Sequence, residues 1–222
     1  MEKILAKLKK QGVLTDEIRQ RLSEFWFHGV EKICDRRIKA AVVYLFTKIV
    51  PWQFFTAPAS SSTKYHPTWQ VKPGGLIRHT TELCIVIERQ LQQYPKLTDS
   101  KCNPLPEARD ILLAAGILHD TFKNGLPWGE KTDYENHHRV AAEKWDAAAG
   151  KFGVPKSIRE SIYEAIFWHA GRWTPEWQPD KLEKLSIYAR ILHSADMFSS
   201  DYNLDLMYTA KPIPKKRSGR RD

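Results

Sequence analysis

The sequence predicts an all-α fold. Apolar residues recur at helical spacing along almost the whole chain. No stretch shows the apolar–polar alternation of a half-buried strand. Pro, Gly and capping residues cut the chain into helix-sized segments. The chain has 222 residues and is 42% apolar, enough to bury a sizeable core as one domain.

Each element follows in order. Residues 2–11 make a short amphipathic helix. Thr15, with Asp16 and Glu17 behind it, starts a second helix that stops near Gly29. A third runs from about Glu31 to Val50, where Pro51 ends it. Residues 51–75 are rich in Pro, Ser and aromatics; they are too long for a routine connection and read as a functional loop or lid. Helix resumes at Leu76 and reaches about Tyr94, before Pro95 and a loop over 95–105. Residues 106–119 are helical and end in the polar turn Asp120 to Gly125. Tyr134 to Lys151 is helical, closed by Gly153 and Pro155. Residues 156–169 follow, closed by Gly171. Pro179 to about Ser200 is the last long helix. The organisation expected is N-terminal helices over 1–50 packing on the core, a loop or lid over 51–75, a helical core over 76–210 and a basic tail over 211–222. The apolar helices within 15–50 suit a partner chain as well as the bundle.

Several classes drop out. No segment offers some 18 uninterrupted apolar residues, so no membrane span is expected. The start, MEKILAKLKK, lacks the apolar stretch of a signal peptide. Three cysteines, Cys34, Cys84 and Cys102, show no CxxC spacing and suggest free thiols in a reducing cytoplasm. There is no GxSxG elbow, kinase-like loop or Gly-rich phosphate loop. The net charge is +9, of which residues 211–222 supply +5. That tail reads either as a nucleic-acid or anion arm or as a solvated end. The mildly basic remainder suits an anionic substrate.

The chemistry gathers in five islands: His79, His119-Asp120, His138, His169 and Asp196. His79 shares a helix face with Leu83 and Val86, and His119 with Leu112 and Ala115. His169 lies over Ile158, Ile162 and Ala165, and Asp196 over Leu185, Ala189 and Leu192. A lone His on an apolar face is more often a satisfied core residue than a ligand. Five inward His/Asp elements on separate helices point to a shared metal centre, because a buried unpaired Asp is costly and a bundle brings such faces together. Of the adjacent pair His137-His138, His138 is favoured. It lies over Ala142, Trp145 and Ala149, whereas the face of His137 runs through Ala141 to Lys144. His193, three residues before Asp196, reads as a supporting neighbour and His28 as structural. Trp128, Trp173 and Trp177 either wall a pocket or cover the ends of the bundle.

The segments GGLIRHT (74–80), LLAAGILHDTFKNG (112–125), ENHHRVAAE (135–143), AIFWHAGRW (165–173) and ILHSADMFSS (191–200) resemble, in that order, the HD-domain superfamily of metal-dependent phosphohydrolases. The likeness covers about residues 64–203. It implies a single HD-type helical bundle with the long loop ahead of the first ligand helix. By this resemblance His79, His119, Asp120 and Asp196 hold one divalent cation. Asp120 bridges to a second, held by His138 and His169. The donor set suits Mn, Fe, Mg, Co, Ni or Zn. Lys123, at the end of HDxxK, matches a family lysine placed to hold a phosphate oxygen; a solvated helix-end lysine is the plainer alternative. Arg78 and Arg172, beside ligands, are further anion candidates. The loop SSSTKYHPTWQVKPGGL resembles a KYH…GGL stretch of some HD proteins, which implies Lys64, Tyr65 and His66 as substrate-pocket residues, although extra Ser and the PTWQVKP insertion depart from that pattern.

The activity implied is hydrolysis of a phosphate ester of a nucleotide or related small molecule by metal-activated water, with Asp120 and Lys123 as the catalytic pair. Protonation of the leaving oxygen falls to His137 or His66. Two other readings stand beside it. One is a single-stranded nucleic-acid exonuclease or phosphodiesterase using the basic tail. The other is a non-catalytic nucleotide-binding regulatory module, which the intact ligand set disfavours.

Overall fold

The computed structural model describes residues 1–60, 66–124, 136–178 and 180–200. Among them are helices α1 (Glu2–Lys10), α2 (Asp16–His28), α3 (Arg36–Lys48), α4 (Gln53–Thr56), α5 (Gly75–Leu91), α6 (Pro106–Leu118), α7 (His137–Lys151), α8 (Lys156–Trp168), α9 (Lys181–Lys184) and α10 (Ile187–Ser199). The described residues contain no strand, only one isolated bridge between Thr98 and Pro104. The fold is all-α.

Local chemistry sets most boundaries. The Thr15 side chain accepts from the Ile18 backbone N–H at the start of α2, and Gly29 follows its last residue. The third helix starts later than its apolar period suggests. Val30–Lys32 form a separate 3-10 turn, and Asp35 caps α3 by accepting from Arg37 and Ile38. Asp110 on α6 accepts from the backbone N–H groups of Cys34 (2.9 Å) and Asp35 (2.6 Å), which holds this break in place. The last helix is also divided. Ser186 accepts from Ala189 N and restarts the chain as α10 after the short α9.

Helices α5, α6, α8 and α10 pack together, and α7 lies along α8. Trp145 of α7 is fully buried and donates its indole N–H to the Arg159 carbonyl of α8. The N-terminal helices close one side: α2 lies on α5, and α3 on α6 and α7. Phe25, Phe46, Phe54 and Phe55 lock α2, α3 and α4 through edge and tilted contacts of 5.2–6.0 Å. Each such ring contributes about 1.5–3 kcal/mol of burial. This rigid flank fixes the start of the 51–75 stretch, whose described part then turns back onto α5. Gly75 permits that return, since a Cβ there would lie 1.8 Å from the Gln70 carbonyl oxygen. Cys34, Cys84 and Cys102 are free thiols, and none of the described helices is long and apolar enough to cross a membrane.

Candidate metal centre

Five helix segments deliver the site. The second turn of α5 carries His79, which is fully buried. His119 and Asp120 leave the C-terminal end of α6, and His169 caps the end of α8. His137 is the first residue of α7, and Asp196 lies in the last turns of α10. The carbonyl ends of α6 and α8 thus face the cluster, an arrangement that favours positive charge.

Those helix ends also orient the rings. His119 Nδ1 lies 2.7 Å from the Gly116 carbonyl and His169 Nδ1 2.7 Å from that of Ile166. Carbonyls only accept, so each Nδ1 carries the proton and a neutral ring turns a bare Nε2 inward. His79 follows the same logic through Ser199. The Ser199 hydroxyl donates to the Asp196 carbonyl (2.9 Å), leaving Oγ to accept from His79 Nδ1 at 3.4 Å.

Two groups result. His79 Nε2 lies 2.9 Å and His119 Nε2 3.6 Å from Asp196 Oδ1. His137 Nε2 lies 3.1 Å and His169 Nε2 3.5 Å from Asp120 Oδ1, with 3.3 Å between the two rings. His119 Nε2 is also 3.6 Å from Asp120 Oδ2 and links the groups. The donor atoms of His79, His119 and Asp196, and those of His119, Asp120 and His169, all fall within 4.8 Å of one another. Burial pushes the His119 imidazole down to about 4, so it is neutral at pH 7. Burial opposes ionisation of Asp196, but His79 and His119 outweigh it and hold the carboxyl well below its usual range. Asp120 behaves alike, with Lys123 and His119 outweighing its desolvation. For His169 burial works downward, and Asp120 overcomes it and raises the pKa.

A divalent cation fits these residues. The buried Nε2 atoms of His79 and His119 have no hydrogen-bond partner, although carboxylate oxygens stand beside both. Orphan imidazole nitrogens at ionised carboxylates cost stability unless a cation gathers them. His79, His119, Asp120 and Asp196 would hold one ion, and Asp120, His137 and His169 a second.

The placement of His138 differs from the sequence reading. Its ring turns away from Asp120, packs edge-on to Phe167 at 4.9 Å and approaches Glu176 Oε2 at 3.7 Å. Both rings are buried, so burial alone does not separate them. Side chains in the first turn lean toward the helix N-terminus, and that lean carries His137 over the end of α7 to Asp120. The exposed Lys144 on the His137 face obscured Ala141 and Ala148, which are buried there.

A cavity of about 310 Å³ opens over the cluster. Its walls include His66, His79, Asp120, Lys123, His137, His169, Asp196, Trp173 and Met197. Lys123 Nζ lies 2.9 Å from Asp120 Oδ2. Arg78 does not line this cavity. It pairs with Glu82 at 2.9 Å, lies over the Trp69 ring, and borders a separate cleft with Glu17 and Arg21. Arg172 is exposed and covers the Trp173 ring rather than the cavity. Lys64, Tyr65, Trp128 and the basic tail lie outside the described residues. Trp177 sits between Trp168 and His193, at the end of the bundle. His193 Nδ1 reaches the His169 carbonyl at 2.7 Å. This contact needs Gly171, at φ +55°, because a Cβ would lie 2.4 Å from the His193 ring. Sequence reasoning missed Gln70 and Ser199, which brace His66 and His79.

Fold and site define an all-α protein with a buried His/Asp cluster that could hold a metal ion. The HD-domain family model matches residues 77–201, more than half of the chain, and the protein belongs to that family. It is therefore a member of a superfamily of metal-dependent phosphohydrolases. No curated protein matches the chain, and no solved structure does.

Proposed function

We propose that the protein hydrolyses a phosphate ester of a nucleotide or a related small molecule. The observation that supports this reading is the intact, inward-facing set of four imidazoles and two carboxylates, of which His79, His137, His169, Asp120 and Asp196 line a cavity that also holds Lys123. Such a cavity, about 310 Å³, lies at the lower end of the range for small-ligand pockets. A divalent ion held by these imidazoles and carboxylates would supply Lewis-acid chemistry, activating water and offsetting charge on the phosphoryl oxygens. The chain's own residues position the reactants. Asp120, ionised and gripped by Lys123, reaches both groups of imidazoles and fixes their spacing. Lys123, on the cavity wall, brings its positive charge to a phosphate oxygen. Met197 and Trp173 present apolar surface to the rest of the substrate.

The test is a panel of nucleoside mono-, di- and triphosphates, cyclic nucleotides, sugar phosphates and short oligonucleotides, incubated with protein and Mn²⁺. Phosphate release or diester cleavage by the native protein, abolished by Asp120→Ala, is expected. No turnover across the panel by protein that has bound metal would overturn the proposal.

A further inference from the structure

The loop ahead of α5 carries a second, fully hydrogen-bonded device. The His66 ring lines the cavity and meets the His79 ring at 5.2 Å between centroids. His66 Nδ1 lies 2.7 Å from Gln70 Oε1. Gln70 is fully buried, and its amide has one possible orientation. Its Nε2 donates to Glu82 Oε2 at 2.6 Å and to the Ser199 carbonyl at 2.8 Å. The Ser199 carbonyl can only accept, so the amide nitrogen must face it whatever the state of Glu82. Oε1 therefore faces His66, and the proton between them sits on Nδ1. Arg78 steadies Glu82 from the far side. The Gln70 backbone is pinned too, since its carbonyl accepts from Ala59 N at 2.8 Å and packs against Gly75.

We propose that Gln70 is a positioning residue that locks the His66 ring with its proton on Nδ1, so that His66 Nε2 accepts a hydrogen bond from an O–H or N–H of the bound substrate. This assigns the substrate a donor near its phosphate, such as a sugar hydroxyl or a base amine, and it rests on the hydrolase reading above. A fully ionised phosphoryl group has no donor to offer Nε2.

The experiment is ¹⁵N NMR of the histidine rings in the full chain loaded with Mg²⁺, with His66 assigned through His66→Asn. The native spectrum should show His66 protonated on Nδ1 alone. Gln70→Met should move it toward the Nε2–H form that free imidazole favours in water. A native His66 carrying its proton on Nε2, or on both nitrogens, overturns the proposal, and this result needs no folded variant. An unchanged tautomer in Gln70→Met also overturns it. Adenosine 5′-monophosphate should shift the His66 Nε2 signal upfield, whereas sulfate, which has no donor, should leave it in place. An Nε2 signal unmoved by saturating nucleotide removes the substrate assignment. An inactive phosphoester panel beside an Nδ1–H His66 would remove the hydrolase reading and leave the role of Gln70 standing.

Discussion

Replacing His137 with Ala, and in a second protein His138 with Ala, separates two adjacent buried imidazoles with different surroundings. His137 Nε2 stands 3.1 Å from Asp120 Oδ1 and 3.3 Å from His169 Nε2. Without it, Asp120 and His169 are left to hold the second ion. Outer-shell changes cost metal sites about 10–100-fold in affinity, so loss of a direct ligand should exceed that for the second ion. His138 makes no such approach. Its ring packs on Phe167, and its buried Nε2 has no hydrogen-bond partner. His138→Ala therefore loses packing but also removes an orphan polar atom, and its net cost should fall near the low end of the usual 0.5–3 kcal/mol. At this chain length that is a fall in Tm of a few degrees, about 2–4 °C per kcal/mol. Equilibrium dialysis against Mn²⁺ with elemental analysis, beside thermal melts, reads both quantities. His137→Ala should lose an ion at concentrations that saturate the native protein, and His138→Ala should keep the native stoichiometry. The reverse pattern would refute the assignment of these two rings.

Two further predictions follow from the groups around the cluster. Ser199→Ala removes the acceptor of His79 Nδ1 but keeps the backbone carbonyl that holds Gln70. Metal affinity at the His79–His119–Asp196 group should fall by about 10–100-fold with His66 undisturbed; chelator competition showing native affinity would contradict that. The metal-free protein should lose stability on acidification. His119 is held neutral to about pH 4, whereas in the unfolded chain it protonates near pH 6.5. Its contribution is complete above that unfolded value and lost as the pH falls from about 6.5 to about 4. This window corresponds to at most about 3 kcal/mol. The depressed carboxyls of Asp120 and Asp196 act in the same direction at lower pH, and His169, whose pKa is raised, offsets part of the loss. Urea melts of chelated protein between pH 7.5 and 4 check the sign, and a flat profile would count against buried neutral imidazoles.

What the sequence made legible was chemistry out of place. Imidazoles and carboxylates on apolar helix faces are rare enough that their repetition points to one centre, and the structure brings His79, His119, Asp120, His169 and Asp196 together. Helix boundaries were legible where the signal is local, as at Thr15 and Gly29. They were not legible where a remote group decides. The break before α3 depends on Asp110, about 75 residues away, accepting two backbone N–H groups. Ser186 is an ordinary serine until the chain is seen to restart there.

His137 illustrates a different failure. A face drawn by helical period assumes a residue inside a regular helix, with neighbours on both sides. At the first position of α7 there is no preceding turn, and the ring leans out over the helix end toward Asp120. The same principle limits any reading of this centre by pattern alone. Its ligands sit largely at helix termini, where backbone carbonyls such as those of Gly116 and Ile166 orient a ring. Termini are where periodicity says least about direction. The supporting residues are harder still, because Gln70 acquires meaning only through partners at 66, 82 and 199. A glutamine in a loop carries no motif. Its orientation is fixed by acceptors that folding brings from three parts of the chain, so the tautomer of His66 is a property of the tertiary structure.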